Sequence, residues 1–179
     1  MSLNLKIFKP QDLRVIFGVE ARAVQGFLDY NTKKGVFVRL KRGLYALKRN
    51  LPGDFSLANS LYSPSYVSLD AALSYYSLIP ETVYAVTSVT TKTTREFTVE
   101  GRLFEYRKIK KEAFTGYQPK EINGEVVFLA TPEKAVADFL YFVRLGKRID
   151  NDRLKWKQID RQKLEKYLKL FGQKNWRLK

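Results

Sequence analysis

Arg39, Lys41 and Arg42 stand almost side by side, directly before Gly43 and between two apolar runs, Phe37-Val38 and Leu44-Tyr45-Ala46-Leu47. Permanent cations at the bend of a β-hairpin suit contact with a phosphate backbone, which holds a protein in place without reading sequence. A solvated hairpin tip would show the same residues, since turns are polar. A second group lies upstream. Arg22, Gln25, Gly26, Asp29 and Lys33 recur at helical spacing, opposite an apolar stripe, and Lys34 follows. Arg bonds guanine bidentately and Gln does the same for adenine. Asp29 is suited either to accept from a cytosine amine or to pair with Arg22 or Lys33. Gly26 costs about 1 kcal/mol against Ala inside a helix; close backbone approach to DNA and simple tolerance both account for it.

Other chemistry finds little support. The 179-residue chain has no cysteine and no histidine. That removes thiolate nucleophiles, zinc–thiolate sites and the commonest general base and metal ligand. There is no glycine-rich phosphate loop, no Gly-x-Ser-x-Gly and no cluster with metal-ligand spacing. Asp70 followed by Glu105-Tyr106-Arg107 has a faint outline of a nuclease carboxylate pair, but no lysine stands where such a site needs one, so surface charge on a strand is the expectation. No enzymatic activity, cofactor or metal is expected.

The formal net charge is +15. Residues 1–50 hold 11 Lys+Arg against 3 Asp+Glu, residues 51–144 hold 10 against 11, and residues 145–179 hold 12 against 4. Two basic ends around a neutral middle point to a polyanionic partner, nucleic acid first. No apolar run is long enough for a membrane span and the N-terminus has no signal-peptide core, so no membrane and a cytoplasmic location are expected.

The elements that would position these residues follow from periodicity. Pro10 near a first turn, Leu13, Ile16 and Phe17 at helical spacing and Gly18 as a stop predict a first helix. Ala21, Val24, Phe27 and Leu28 predict a second helix over about 20–31, ended by Lys33-Lys34-Gly35. A hairpin with arms 36–40 and 44–47 comes next, turned at Gly43. Helix, turn, helix, hairpin is the order of a winged helix-turn-helix, in which the second helix enters the major groove and the hairpin is the wing. Pro52-Gly53 marks a linker, which divides the chain into a DNA-binding unit over 1–50 and a second unit over 51–179.

In the second unit, helices are expected over 55–61 and 69–77, the latter capped by Ser68. Strands are expected over 83–89, 95–99, 103–109 and 125–129, with turns at Glu100-Gly101 and Asn123-Gly124. Thr131-Pro132-Glu133 starts a helix whose apolar face is Ala135, Val136, Phe139, Leu140 and Val143. A last helix over 160–171 has an apolar stripe of Leu164, Tyr167, Leu168 and Phe171, and carries Arg161, Lys163, Lys166 and Lys169 on its other faces. Those four form either a second phosphate-binding face or the solvated side of a packed amphipathic helix. Trp156 and Trp176 suit packing rather than base stacking. The fold class is therefore α+β: a shortened winged helix-turn-helix, then an α+β domain with a mostly antiparallel sheet and flanking helices.

The stretches "SPSYVSLDAALSYYSLIP" and "VFLATPEKAVADFLYF", with the hairpin "VRLKRGLYAL", carry a resemblance. From about Phe8 to Phe142 the chain resembles the AbiEi antitoxins of bacterial abortive-infection, or type IV toxin–antitoxin, systems. The resemblance implies an N-terminal winged helix that binds inverted repeats at its own promoter and represses it, and a C-terminal domain that counteracts a nucleotidyltransferase-like toxin, by direct contact or through the toxin's effect alone. Inverted repeats imply a dimer or two copies on double-stranded DNA. Family members usually carry a full helix before Phe8, where this sequence has seven residues, so the first unit is expected to bury a smaller core.

A rival from another class is a non-catalytic protein- or RNA-interaction module, with the middle domain as the active part and the basic ends binding an acidic partner.

Overall fold

A computed structural model describes residues 6–172. Trp176 lies outside them. The chain divides into two compact units between Gly53 and Asp54.

The first unit holds β1 (Ile7–Phe8), α1 (Pro10–Phe17), α2 (Ala21–Lys33), β2 (Phe37–Lys41) and β3 (Leu44–Leu47). Pro10 occupies the first turn of α1, where its missing N–H costs nothing. The Lys9 N–H donates to the Asp12 carboxylate at 2.8 Å and the Asp12 N–H donates back to the Lys9 carbonyl at 3.0 Å, so the start of α1 is closed from both sides. Gly18 ends it with φ 62°, its N–H donating to the Arg14 carbonyl. The strands form a small antiparallel sheet in the order β1-β3-β2. Its core is Phe8, Leu13, Val24, Leu28 and Tyr45, with Phe37 packed against it.

This core is smaller than the helical periodicity predicts. Ile16 and Phe17 on α1, and Ala21 and Phe27 on α2, are exposed. Among the described residues of this unit, the two helices and the three-stranded sheet leave those positions open. α2 also runs two residues beyond the expected stop, so Lys33 lies in its last turn and Lys34 caps it.

The second unit holds α3 (Asp54–Leu61), β4 (Ser65–Val67), α4 (Leu69–Tyr75), β5 (Val86–Thr90), β6 (Arg95–Val99), β7 (Arg102–Lys108), β8 (Tyr117–Ile122), β9 (Glu125–Ala130), α5 (Pro132–Arg144) and α6 (Arg161–Lys169). One six-stranded sheet runs β6-β7-β5-β4-β9-β8. Three of its five pairings are antiparallel, while β5–β7 and β4–β9 are parallel. Both hairpin turns read from the sequence are present, and Glu100, Gly101, Asn123 and Gly124 all take left-handed φ values, as a tight two-residue turn requires.

The sheet is covered on both faces. Tyr106 donates its hydroxyl to the Ala58 carbonyl of α3. Tyr66, on the other face, donates to Asp138 of α5 at 3.1 Å. α6 packs on α5 through Leu164, Leu168 and Phe171, whose ring stacks on Tyr141 at 4.2 Å. Among the described residues no helix is long and apolar enough to cross a membrane.

Two sequence expectations need correction here. Ser68 sits at the N-cap of α4, but its hydroxyl donates to Asp138 at 2.7 Å instead of capping. Thr87 of β5 takes over the cap: its hydroxyl accepts from the Ala71 N–H and donates to the Ser68 carbonyl. On α5, Leu140 and Val143 are half-buried, while Lys134 and Asp138 are fully buried. The charged pair thus occupies the apolar face.

Candidate nucleic-acid interface

α2 is amphipathic because Val24 and Leu28 fall one turn apart and both enter the core, each worth about 1.5–3 kcal/mol of burial. That anchoring turns the opposite side outward, and Arg22, Gln25, Gly26, Asp29 and Lys33 are all exposed there. The helix is tied to the hairpin by Phe27, whose ring meets Phe37 of β2 edge-on at 5.7 Å. Phe37 in turn meets Phe8 at 5.2 Å.

The hairpin narrows to a two-residue turn, Arg42-Gly43, because Lys41 pairs with Leu44. Gly43 takes φ 73°, a conformation that a side chain would strain. Val38 and Leu40, two residues apart, share one face of β2 and both enter the core, and the pairing register shifts between Arg39 and Lys41. Arg39 and Arg42 are exposed and Lys41 is half-exposed.

One relationship differs from expectation. Asp29 pairs with neither Arg22 nor Lys33; its carboxylate accepts from the Gln25 side-chain amide at 2.8 Å. The candidate adenine reader is thereby oriented by the acid one turn along. Lys34 places its ammonium 4.6 Å from the centre of the Tyr30 ring.

In the second unit, Arg161, Lys163, Lys166 and Lys169 are exposed along α6. Asp160 caps this helix by accepting from the Gln162 and Lys163 N–H groups, and its carboxylate lies 3.8 Å from the Lys163 ammonium. The buried stripe Leu164, Leu168 and Phe171 makes α6 a packed amphipathic helix whose cations face water.

The faint carboxylate pair also deserves a correction. Asp70 and Glu105 are mostly buried, not surface charges, and converge on one guanidinium, that of Arg148. Glu105 lies 2.8 Å from Arg107 as well. Asp70 and Glu105 are therefore neutralised by arginines, and among the described residues no group of three or more acidic side chains could hold a metal ion. Burial pulls the Arg148 pKa down from its usual value. Arg148 was invisible in the sequence because it lies in a polar loop, more than 40 residues from Glu105.

The buried cluster around Asp138 was missed too. Asp138 accepts from Tyr66, Ser68 and the Lys134 ammonium, which itself lies 4.9 Å from the Phe171 ring. Burial pushes the Asp138 carboxyl up, against its hydrogen bonds and the lysine, which pull it down. Burial first, and then the Asp138 charge, pushes the Tyr66 phenol well above its ordinary value. The available signal was the i, i+4 spacing of Lys134 and Asp138 within an otherwise apolar helix face.

No family model matches this chain, and no curated protein matches it.

Proposed function

We propose that this protein is a DNA-binding transcriptional autorepressor and an antitoxin of the AbiEi type, without enzymatic activity. The supporting observation is the outward row of α2, Arg22, Gln25 and Lys33, in the same compact unit as an exposed cationic hairpin tip, Arg39, Lys41 and Arg42. In this reading α2 enters the major groove, and Arg22 and Gln25 meet base edges. Lys33, Lys34 and the hairpin contact phosphates. The second unit counteracts a nucleotidyltransferase-like toxin, directly or through the toxin's effect. The water-facing cations of α6, Arg161, Lys163, Lys166 and Lys169, offer a second, broad surface to phosphates.

The test is a gel-shift titration of the full chain on the DNA upstream of its own gene. Specific binding at about 150 mM salt, and its loss when the inverted repeat is scrambled, is the expected result. Equal affinity for unrelated duplex DNA would overturn the autorepressor reading. Co-expression with a nucleotidyltransferase-like toxin encoded beside its own gene tests the antitoxin half; growth arrest unrelieved by this protein would overturn it.

A further inference from the structure

We propose that the open groove between α1 and α2 is a docking site for an amphipathic helix with acidic flanks, supplied by a partner protein. Leu13, Phe17, Val19, Ala23, Val24 and Phe27 line this groove, which encloses about 430 Å³. Phe17 is 60% exposed and Phe27 47% exposed, although their rings meet at 6.5 Å. Tyr30, 56% exposed on the same stripe of α2 as Ala23 and Phe27, extends the apolar surface. A contiguous apolar patch of this kind on a soluble unit marks an interaction surface. Its walls are two helices, and the helix-in-groove mode of recognition fills such a gap with the apolar stripe of a third.

Charge decides the flanks of that third helix. Ala23, Phe27, Tyr30 and Lys34 fall on one stripe of α2, so Lys34 stands at the rim with its ammonium on the Tyr30 ring. Arg14, one turn before Phe17, bonds the neutral Gln11 side chain at 3.2 Å. Of the three carboxylates in residues 1–50, Asp12 accepts from the Lys9 N–H and Asp29 accepts from Gln25 on the outward row, which leaves Glu20 beside the groove. With 11 cations against 3 acids, a second copy of the unit would meet like charge, whereas an acidic helix would be attracted. The groove lies on a different flank of α2 from Arg22, Gln25 and Lys33, so this site stands independently of the DNA reading.

The experiment uses the full chain and a fluorescein-labelled peptide about four turns long, with Leu at i, i+3, i+4 and i+7 and Glu on the flanking positions. Two comparison peptides carry the same residues in scrambled order, or Lys in place of Glu. Anisotropy titration at about 150 mM salt should show the Glu-flanked helix binding at least about tenfold tighter than either. Ala23→Glu and Phe17→Ser should each weaken binding by about tenfold or more, with unchanged circular dichroism. The double variant Lys41→Ala/Arg42→Ala should bind the peptide as the parent does. Equal binding of the scrambled peptide would reduce the site to bulk charge attraction and overturn the proposal. Equal binding of the Lys-flanked peptide would overturn its acidic partner. A dimer in sedimentation velocity that Phe17→Ser dissociates would show that a second copy covers the groove, and would overturn it as well.

Discussion

Lys134 and Asp138 face each other across one turn of α5, both side chains wholly removed from solvent. Their charges compensate only as a pair, with the Tyr66 and Ser68 hydroxyls saturating the remaining carboxylate positions. Replacing Lys134 by Met leaves a buried carboxylate without its cation. The expected loss is about 3–5 kcal/mol in urea unfolding followed by circular dichroism. The double change Lys134→Met/Asp138→Leu should lose clearly less than that single change. A single variant that unfolds at the parent's urea midpoint would contradict the pairing.

Gly116 sits against the same cluster with φ 77°. A Cβ there would come within 2.6 Å of the Tyr167 ring and 3.0 Å of the Lys134 side chain. Gly116→Ala combines a strained backbone with this collision and should cost about 2 kcal/mol or more. Gly124→Ala supplies the control, since its φ of 75° imposes the same backbone strain with no atom in the way. The difference between the two melting temperatures isolates the contact with Tyr167.

Alkaline titration separates the tyrosines. Burial holds the Tyr76 phenol up at about 12, and its hydroxyl donates to the Ala130 carbonyl at 2.9 Å. Burial also raises Tyr66 and Tyr106. Because the folded values lie above the ordinary value of 10, the folded state holds protons that the unfolded chain releases. Stability from these groups is therefore complete below about pH 10 and falls as pH climbs toward 12 and beyond. Absorbance at the phenolate band should show these three titrating above pH 10, together with the loss of the circular dichroism signal. Tyr76→Phe should move the onset of unfolding to higher pH.

On DNA, Lys41→Ala/Arg42→Ala should weaken binding to every sequence and lower the salt slope by about 2. Unchanged affinity of that variant at about 150 mM salt would remove the hairpin from the interface. Arg22→Ala should act differently, relaxing preference at one base position by about 1–3 kcal/mol. Asp29→Ala removes an acid from the outward row and releases the Gln25 amide. If α2 reads the major groove as proposed, the change should raise affinity for all DNA and blur discrimination at the position assigned to Gln25. Competition gel-shifts with single-base operator variants distinguish the two effects.

The helices and hairpins were largely legible, because their signals are local. Pro10 and Gly18 bracket α1, Thr131-Pro132 opens α5, and Asn123-Gly124 turns β8 into β9. What stayed hidden depends on partners distant in the chain. β4 is three residues long and becomes a strand only because β5 and β9 lie on either side of it. β8 is not among the strands expected from the sequence; it holds Pro119 and charges, which an edge strand tolerates. At the candidate interface, residue types and helical phase placed Arg22, Gln25 and the hairpin cations on exposed positions. They did not reveal the Gln25–Asp29 bond, since Lys33 stands at the same four-residue spacing from that acid as Gln25. Phe17 and Phe27 misled for the opposite reason: helical spacing marks an apolar face, but only the neighbouring elements decide whether anything covers it.

The central position of β4 bears on how the protein is made. Translation completes the first unit's strands and helices by residue 47, and that unit can bury Phe8, Leu28 and Tyr45 while the rest is still being synthesised. The second sheet cannot close so early, because β4 waits for its parallel neighbour β9, about 60 residues later. At about 5–20 residues per second a growing chain spends several seconds with a finished head and an unclosed body. A ribosome that stalls between residues 70 and 120 would therefore release a fragment that holds every element of the basic first unit but lacks β9, beside which β4 must lie.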